Sequence, residues 1–278
     1  MKSIRKFLAA ATIISLIAVA YPAIRSSAAN YEQQAQQTDG AGGKTTRQVA
    51  IVIDDFGNGS AGTKEMLNLP VHFTVAVMPF MHMTRQDAES AHKLGHDVLV
   101  HMPMEPNHGK REWLGPGAIT ANMSDQEIRH RTEAAIKDVP YAIGMNNHMG
   151  SKITADEHIM RIVLSVVKEH GMFFLDSRTT FKTVVPKVAA ELGVPLLSND
   201  VFLDDVYTES HIAKQMGVLH KHMDSHVKGV AIGHVGAPGK KTAAVLTSTI
   251  PKLQQSMSFV RLSEMLGTSP EKDIIPHT

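Results

Sequence analysis

Acids and histidines recur in this chain at the ends of apolar runs. The run 49–53 leads straight into Asp54 and Asp55. The segment HDVLVHMPMEP carries His101, with Glu105 four residues on, and AIGMNNHMGS carries Asn146, Asn147 and His148. Asp176 and Arg178 lie in MFFLDSRTT, Asn199, Asp200, Asp204 and Asp205 in LLSNDVFLDD, and His234 in VAIGHVG. Taken singly, each has an ordinary reading: Asp54 or Asp55 as a helix cap, His101 as a core histidine, Asn147 as a turn residue, Asp204 and Asp205 as a solvated loop pair or a brace. Turn chemistry favours Asn, Asp and Gly, however, and leaves the repeated histidines unexplained. Two imidazoles and one carboxylate can hold a divalent cation with positions left open, and zinc is the expected ion. Such an ion acidifies a water and polarises a carbonyl oxygen. A second carboxylate beside the ligands can take the water's proton, and a histidine across the pocket can protonate a leaving group. Adjacent Asp54 and Asp55 suit that division, one toward the ion and one toward the water.

Strand-like runs alternate with helical patterns through the part of the chain that carries these groups. The run 49–53 has no polar alternation, so it reads as a strand buried on both faces. Ser124 and Glu127 have the capping-box spacing and open a helix over MSDQEIRHRTEAAIKDV. Ile159, Ile162, Val163, Val166 and Val167 mark one face of another helix, which Gly171 ends. SFVRLSEML is expected to add a last strand. The alternation predicts an α/β fold on about seven parallel strands, whose carboxyl ends would gather on one rim. Histidines on the predicted helices or their ends, His96 among them, read as surface residues. GAPGKK, after His234, lacks the full spacing of a phosphate loop.

The chain has 278 residues, an apolar fraction of 43% and a net charge of +1, which supply a core but no basic field for nucleic acid. It has no cysteine, so disulfides and thiolate metal sites are excluded. Residues 1–29 read as a signal peptide: Lys2, Arg5 and Lys6, then an apolar run too short for a comfortable span, then small residues at 26–29. After its cleavage no stable membrane span is expected, and the body would be secreted or lie in the cell envelope. Residues 30–46 read as a flexible linker, 47–266 as the folded domain and 267–278 as a loose tail.

In their order along the chain, IVIDDFGN, LVHMPMEP, GMNNHMGSKIT, FLDSRTT, LSNDVFLDD and AIGHVG resemble the divergent branch of the polysaccharide deacetylases. The resemblance implies a distorted (β/α) barrel of about seven parallel strands and metal-dependent removal of N-acetyl groups from a carbohydrate polymer or oligomer. It implies Asp54 as the base, Asp55 and His101 as metal ligands and His234 as the acid for the leaving amine. The family places a second histidine four residues after the first, where this chain has Glu105. His148, from the next rim segment, is the expected replacement, with Glu105 as the alternative ligand. Asn147, Asp176 and Arg178 are expected around the ligands, orienting them. Two other functions share such a rim: glycan binding without turnover, which Glu105 favours, and metal-dependent phosphoester hydrolysis. Trp113 is the one tryptophan and aromatics make up 5% of the chain, so the sequence shows no extended platform for stacking sugars.

Overall fold

A computed structural model describes residues 47–267. The expected signal peptide and linker, and nearly all of the expected tail, lie outside the described residues. The strands are β1 (Gln48–Phe56), β2 (Thr74–Val77), β3 (Asp97–Met104), β4 (Ala142–Met149), β5 (Phe173–Asp176), β6 (Leu196–Ser198), β7 (Val201–Phe202), β8 (Lys228–His234) and β9 (Ser258–Phe259). Between them run the helices α1 (Thr63–Leu67), α2 (Thr84–Lys93), α3 (Asp125–Asp138), α4 (Glu157–Glu169), α5 (Val185–Leu192), α6 (Glu209–His222), α7 (Gly239–Leu253) and α8 (Leu262–Leu266). Helix α3 begins at the capping box of Ser124 and Glu127, and α4 buries Ile159, Val163, Val166 and Val167. Ordinary amphipathic helix chemistry therefore builds the outer layer.

The sheet runs in the order β6-β5-β4-β3-β2-β1-β8-β7, with all pairs parallel and β9 beside the start of β1. Its two edge strands, β6 and β7, are consecutive in sequence. Only Asn199 and Asp200 separate them, so the sheet must curl until its edges nearly meet. At that seam Asn199 N–H donates to the Asp176 carbonyl at 2.9 Å, and Asp200 N–H donates to the Val230 carbonyl at 2.9 Å. One bent segment thus leans on β5 with its first half and on β8 with its second. Counted as one stave, it closes a distorted barrel of seven.

Side-chain parity explains which residues meet inside. Ala50, Val52, Ala76, Leu99, Phe173, Leu175, Val230 and Ile232 form an inner cluster, while Val49, Ile51, Ile53, Val98, Val100, Met145 and Phe174 pack outward under the helices. Alternation along each strand then turns Asp54, His101 and His234 inward at the carboxyl rim. Strand β4 is bulged against β3 near its start, where pairing shifts between Val98 and Leu99. Beyond the bulge Met145 faces out, and Asn146 and His148 face in. Gly144 is inward too, and a Cβ there would stand 2.8 Å from the Phe173 ring, so glycine makes room for that ring inside the barrel.

The segment expected to end in a strand is a strand only at Ser258–Phe259 and then turns helical. Leu262 and Met265 of α8 join the inner cluster, while Ser263 N–H and Oγ donate to the two Asp97 carboxylate oxygens at 2.9 and 3.0 Å. This helix covers the amino end of the barrel. The inner strand residues leave an apolar opening there that a helix face fills better than another strand would. His96 is also a correction. It is buried, accepts the Phe73 N–H at Nδ1, and burial lowers its pKa to about 4. No helix among the described residues is long and apolar enough to cross a membrane.

Candidate active site

Strands β1 and β8 are in register with Asp54 opposite His234, and β3 and β4 with His101 opposite Asn146. These pairings bring residues far apart in sequence to one rim. Strict alternation would send Asp54 and Asp55 to opposite faces of β1. The chain avoids this by adopting a left-handed backbone at Asp55, with φ 70°, where β1 shifts register against β2. Aspartate tolerates this region better than most residues. Gly57, at φ 107°, continues the turn, and its N–H donates to the buried Asp87 at 2.8 Å. Both carboxylates consequently approach one imidazole: His101 Nε2 lies 3.7 Å from Asp54 Oδ2 and 3.2 Å from Asp55 Oδ1.

Asp55, His101 and His148 form the one group of potential metal ligands found among the described residues. His148 Nδ1 is 3.0 Å from Asp55 Oδ1 and 3.2 Å from His101 Nε2. The hydrogen bonds behind the rings decide their tautomers. His101 Nδ1–H donates to Asn146 Oδ1 at 2.8 Å, and His148 Nε2–H donates to the Trp113 carbonyl at 3.0 Å. In its neutral form each ring would then aim a lone pair into the triangle. Asp55 Oδ1, buried there, makes no well-formed hydrogen bond. With both rings neutral three acceptors converge, an arrangement a cation would satisfy. Against burial, which lowers it, the same crowding lets Asp54 and Asp55 raise the His101 pKa. Ligand atoms around a tetrahedral zinc, at about 2.0–2.1 Å from it, stand roughly 3.3 Å apart, close to the observed triangle. The residues fit a small divalent metal.

The electrostatics separate the two aspartates. Burial pushes the Asp54 carboxyl up, against the opposing influence of His101, His234 and an Asn146 hydrogen bond. Burial acts on Asp55 as well, but there it is outweighed by His101 and His148, which hold it well below the usual carboxylate range. One carboxylate is therefore suited to take a proton and the other to stay charged beside a cation. Asn146 ties Asp54 to His101: its Nδ2 donates to Asp54 Oδ1 at 2.9 Å while its Oδ1 holds His101.

His234 stands on the far side of the cleft. Its Nδ1–H donates to Asp204 Oδ1 at 2.7 Å, and its backbone N–H donates to Asp204 Oδ2 at 2.8 Å. Thr242 Oγ1 donates to the same Oδ2 at 2.7 Å. Burial alone would lower the imidazole's pKa. The hydrogen bond and charge of Asp204, aided by Asp55 and Asp54, more than reverse this and raise it to about 9. A cleft of about 480 Å³ joins Asp55, His148, His234 and Asp204 to Trp113 and Tyr207.

The other residues singled out from sequence lie apart from this group. Glu105 accepts the Ala121 N–H at 2.7 Å and pairs with Lys152 Nζ at 2.7 Å, so its carboxylate is engaged away from the triangle. Asn147 and Asp176 face outward by parity. Asn147 binds the Met149 carbonyl and the Ser177 N–H, and Asp176 binds the Arg178 N–H and the Thr183 hydroxyl. They brace the loop after β5, in which Arg178 is left-handed at φ 55°. Sequence reasoning underrated Asn146 and Asp204. For Asn146 a signal was available, since residues two apart on a strand share a face and His148 faces the rim. For Asp204 the sequence offered a brace or a loop pair without separating it from Asp205, and only the fold does so, burying Asp204 and exposing Asp205.

Barrel and rim together define a class: parallel (β/α) barrels with a carboxylate–histidine site at the strand ends. The chain belongs to the divergent polysaccharide deacetylase family, whose profile matches residues 51–266. It is 34% identical over 235 residues to the uncharacterized protein YibQ of Escherichia coli (strain K12), covering 82% of this chain and 72% of that one. It is also 34% identical over 218 residues to an uncharacterized protein of Haemophilus influenzae, covering 78% of this chain and 76% of that one. A crystal structure of an uncharacterized protein from Agrobacterium tumefaciens C58 shares the fold, with a TM-score of 0.74, 19% identity, and coverage of 81% of this chain and 91% of that one.

Proposed function

We propose that the protein is an exported, metal-dependent deacetylase that removes N-acetyl groups from a cell-wall or other glycan. The observation that carries this reading is the convergence of three acceptors beside Asp54 and His234 in one open cleft. Asp55, His101 and His148 would hold a divalent ion, with zinc favoured by the nitrogen–oxygen donor set. When bound, such an ion acidifies water and polarises a carbonyl oxygen. Asp54, its pKa raised, accepts a proton from the attacking water as oxygen adds to the acetamide carbon. His234, protonated at neutral pH, gives its proton to the nitrogen as the C–N bond breaks. Acetate and a free amine leave, and both residues then exchange protons with solvent. Asp204 holds His234 in the orientation and charge state this step needs. Export rests on the basic-then-apolar amino-terminal sequence.

Phosphoester hydrolysis is the weaker reading. No lysine or arginine is among the residues that line the cleft, so beyond a metal and His234 the lining offers no cation to hold a phosphate dianion. The test is acetate release from N-acetylated oligosaccharides together with elemental analysis of the purified protein. Wild type should carry about one equivalent of metal and release acetate, while Asp55→Ala and His148→Ala should lose both. Stoichiometric metal retained in both variants refutes the ligand assignment, and metal-loaded protein that releases no acetate refutes the reaction.

A further inference from the structure

Between β3 and α3 the chain makes a long excursion at the carboxyl rim, and the root of that excursion is pinned on both sides. Glu105 N–H donates to the Ile119 carbonyl at 2.9 Å, and Ile119 N–H donates to the Pro103 carbonyl at 2.9 Å. Asn107 N–H and Nδ2 donate to Ser151 Oγ and to the Ser151 carbonyl, both at 2.9 Å. Arg131 Nη1 donates to the Ala118 carbonyl at 2.8 Å, and the Glu105 carboxylate holds the Ala121 N–H. Glu105, at the position where the family resemblance expects a metal-binding histidine, is thus part of a clamp.

Inside the clamp, residues 108–117 form a flap with little to hold it. Among the described groups, the bond from His148 Nε2–H to the Trp113 carbonyl is its single hydrogen bond to the rest of the protein. Leu114 is the one buried side chain described in it and joins neither apolar cluster of the barrel. Gly115 and Gly117 turn the flap back at φ 77° and 72°, a region that favours glycine. A Cβ on Gly115 would stand 2.7 Å from Met78 Cε, and one on Gly117 would run into the Phe80 ring. A segment with pinned ends, glycine turns and one polar tie is of the kind that opens locally. Yet Glu112, Trp113 and Gly115 wall the cleft, so the position of the flap shapes the site.

We infer that this flap is a lid latched by His148, so that metal uptake and lid closure reinforce one another. The inference rests on the assignment of His148 as a metal ligand. The two ring nitrogens divide the work: Nδ1 faces Asp55 and His101, and Nε2 faces the lid. With a cation at Nδ1 the ring is poorer in electrons and Nε2–H is a stronger donor, so the bond to the Trp113 carbonyl tightens. In return, that carbonyl raises the basicity of Nδ1 and fixes the tautomer that presents its lone pair. Such coupling is reciprocal: whatever opens the lid weakens metal binding by the same factor. The latch is a main-chain oxygen, so the indole of Trp113 is dispensable for it.

Trypsin cuts after Lys110 and Arg111, both within the lid, and gives a readout independent of activity. The full chain is stripped with a chelator, and part of it is reloaded with zinc. Cleavage at these two sites should be roughly tenfold slower in the loaded protein, because proteolysis follows the open population. Zinc affinity is read by competition with a chromophoric chelator. It should fall about tenfold or more when residues 108–117 are replaced by an equal run of glycine and serine. Circular dichroism checks that the barrel of this variant is intact. Trp113→Phe keeps the carbonyl and should leave the affinity unchanged. Equal cleavage of stripped and loaded protein, or unchanged affinity in the glycine–serine variant, overturns the latch and leaves the metal site standing. Affinity lost in Trp113→Phe also overturns it, by assigning the effect to the indole. A chain that takes up no zinc refutes the ligand assignment, and the latch with it.

Discussion

Replacing Asp204 by asparagine should convert a pH-tolerant acid into one that works only in mildly acidic solution. The His234 ring is 28% exposed and its pKa is raised to about 9, with burial opposing the rise and Asp204 its main source. Asparagine keeps a hydrogen-bond acceptor and removes the charge. With the charge of Asp204 gone and only Asp55 and Asp54 left to oppose burial, the imidazole should then titrate near its ordinary value of about 6.5. At pH 7.5 the acid form falls from about 97% to about 9% of the protein, roughly tenfold, whereas at pH 6 it changes by less than about 1.5-fold. Acetate release followed from pH 5.5 to 9.5 should show the alkaline limb of the variant displaced downward by two pH units or more. A cation on Asp55 cancels part of that residue's field and lowers both limbs, so the difference between the two proteins carries the test. Stability gives a second readout. A folded pKa above the unfolded one adds stability that is full below pH 6.5 and is lost as pH rises through about 9, here about 3 kcal/mol at most. Wild type should lose that increment in denaturant titrations between pH 6 and 9.5, and the variant should not. An alkaline limb that stays put in Asp204→Asn would refute the account of His234.

Asn146→Ala removes the donor to Asp54 and the acceptor for His101 together. Metal affinity should drop about 10–100-fold, and because the Asn146 hydrogen bond lowers the Asp54 pKa, the acidic limb of the rate profile should move to higher pH. An unmoved limb would mean that Asn146 only fills space. Glu105→Gln breaks a partly exposed pair with Lys152, so stability should change by less than about 1 kcal/mol and metal content not at all. Loss of metal in that variant would make Glu105 a ligand after all.

Much of the architecture was legible before any coordinates. Apolar runs of strand length, the Ser124–Glu127 cap and the apolar stripe of α4 are local signals, and each depends on residues a few positions apart. The order of the motifs was sufficient to indicate the family and to point to Asp54, Asp55, His101, His148 and His234. The final segment went wrong because SFVRLSEML satisfies a strand pattern locally, while the open base of the barrel selects a helix. His96 went wrong because burial under a neighbouring loop leaves no mark in its own segment.

The residue types on the rim follow from the chain itself, since each strand run ends where its polar residues begin. Which way those residues face does not. Strands buried on both sides carry no alternation, so parity is invisible until the sheet curls and gives one side an inside. The left-handed turn at Asp55, the bulge that points Asn146 and His148 inward, the engagement of Glu105 by Lys152 and the pairing of Asp204 with His234 all come from contacts between distant segments. Local sequence thus supplied the chemical groups, and barrel closure decided which of them share a site.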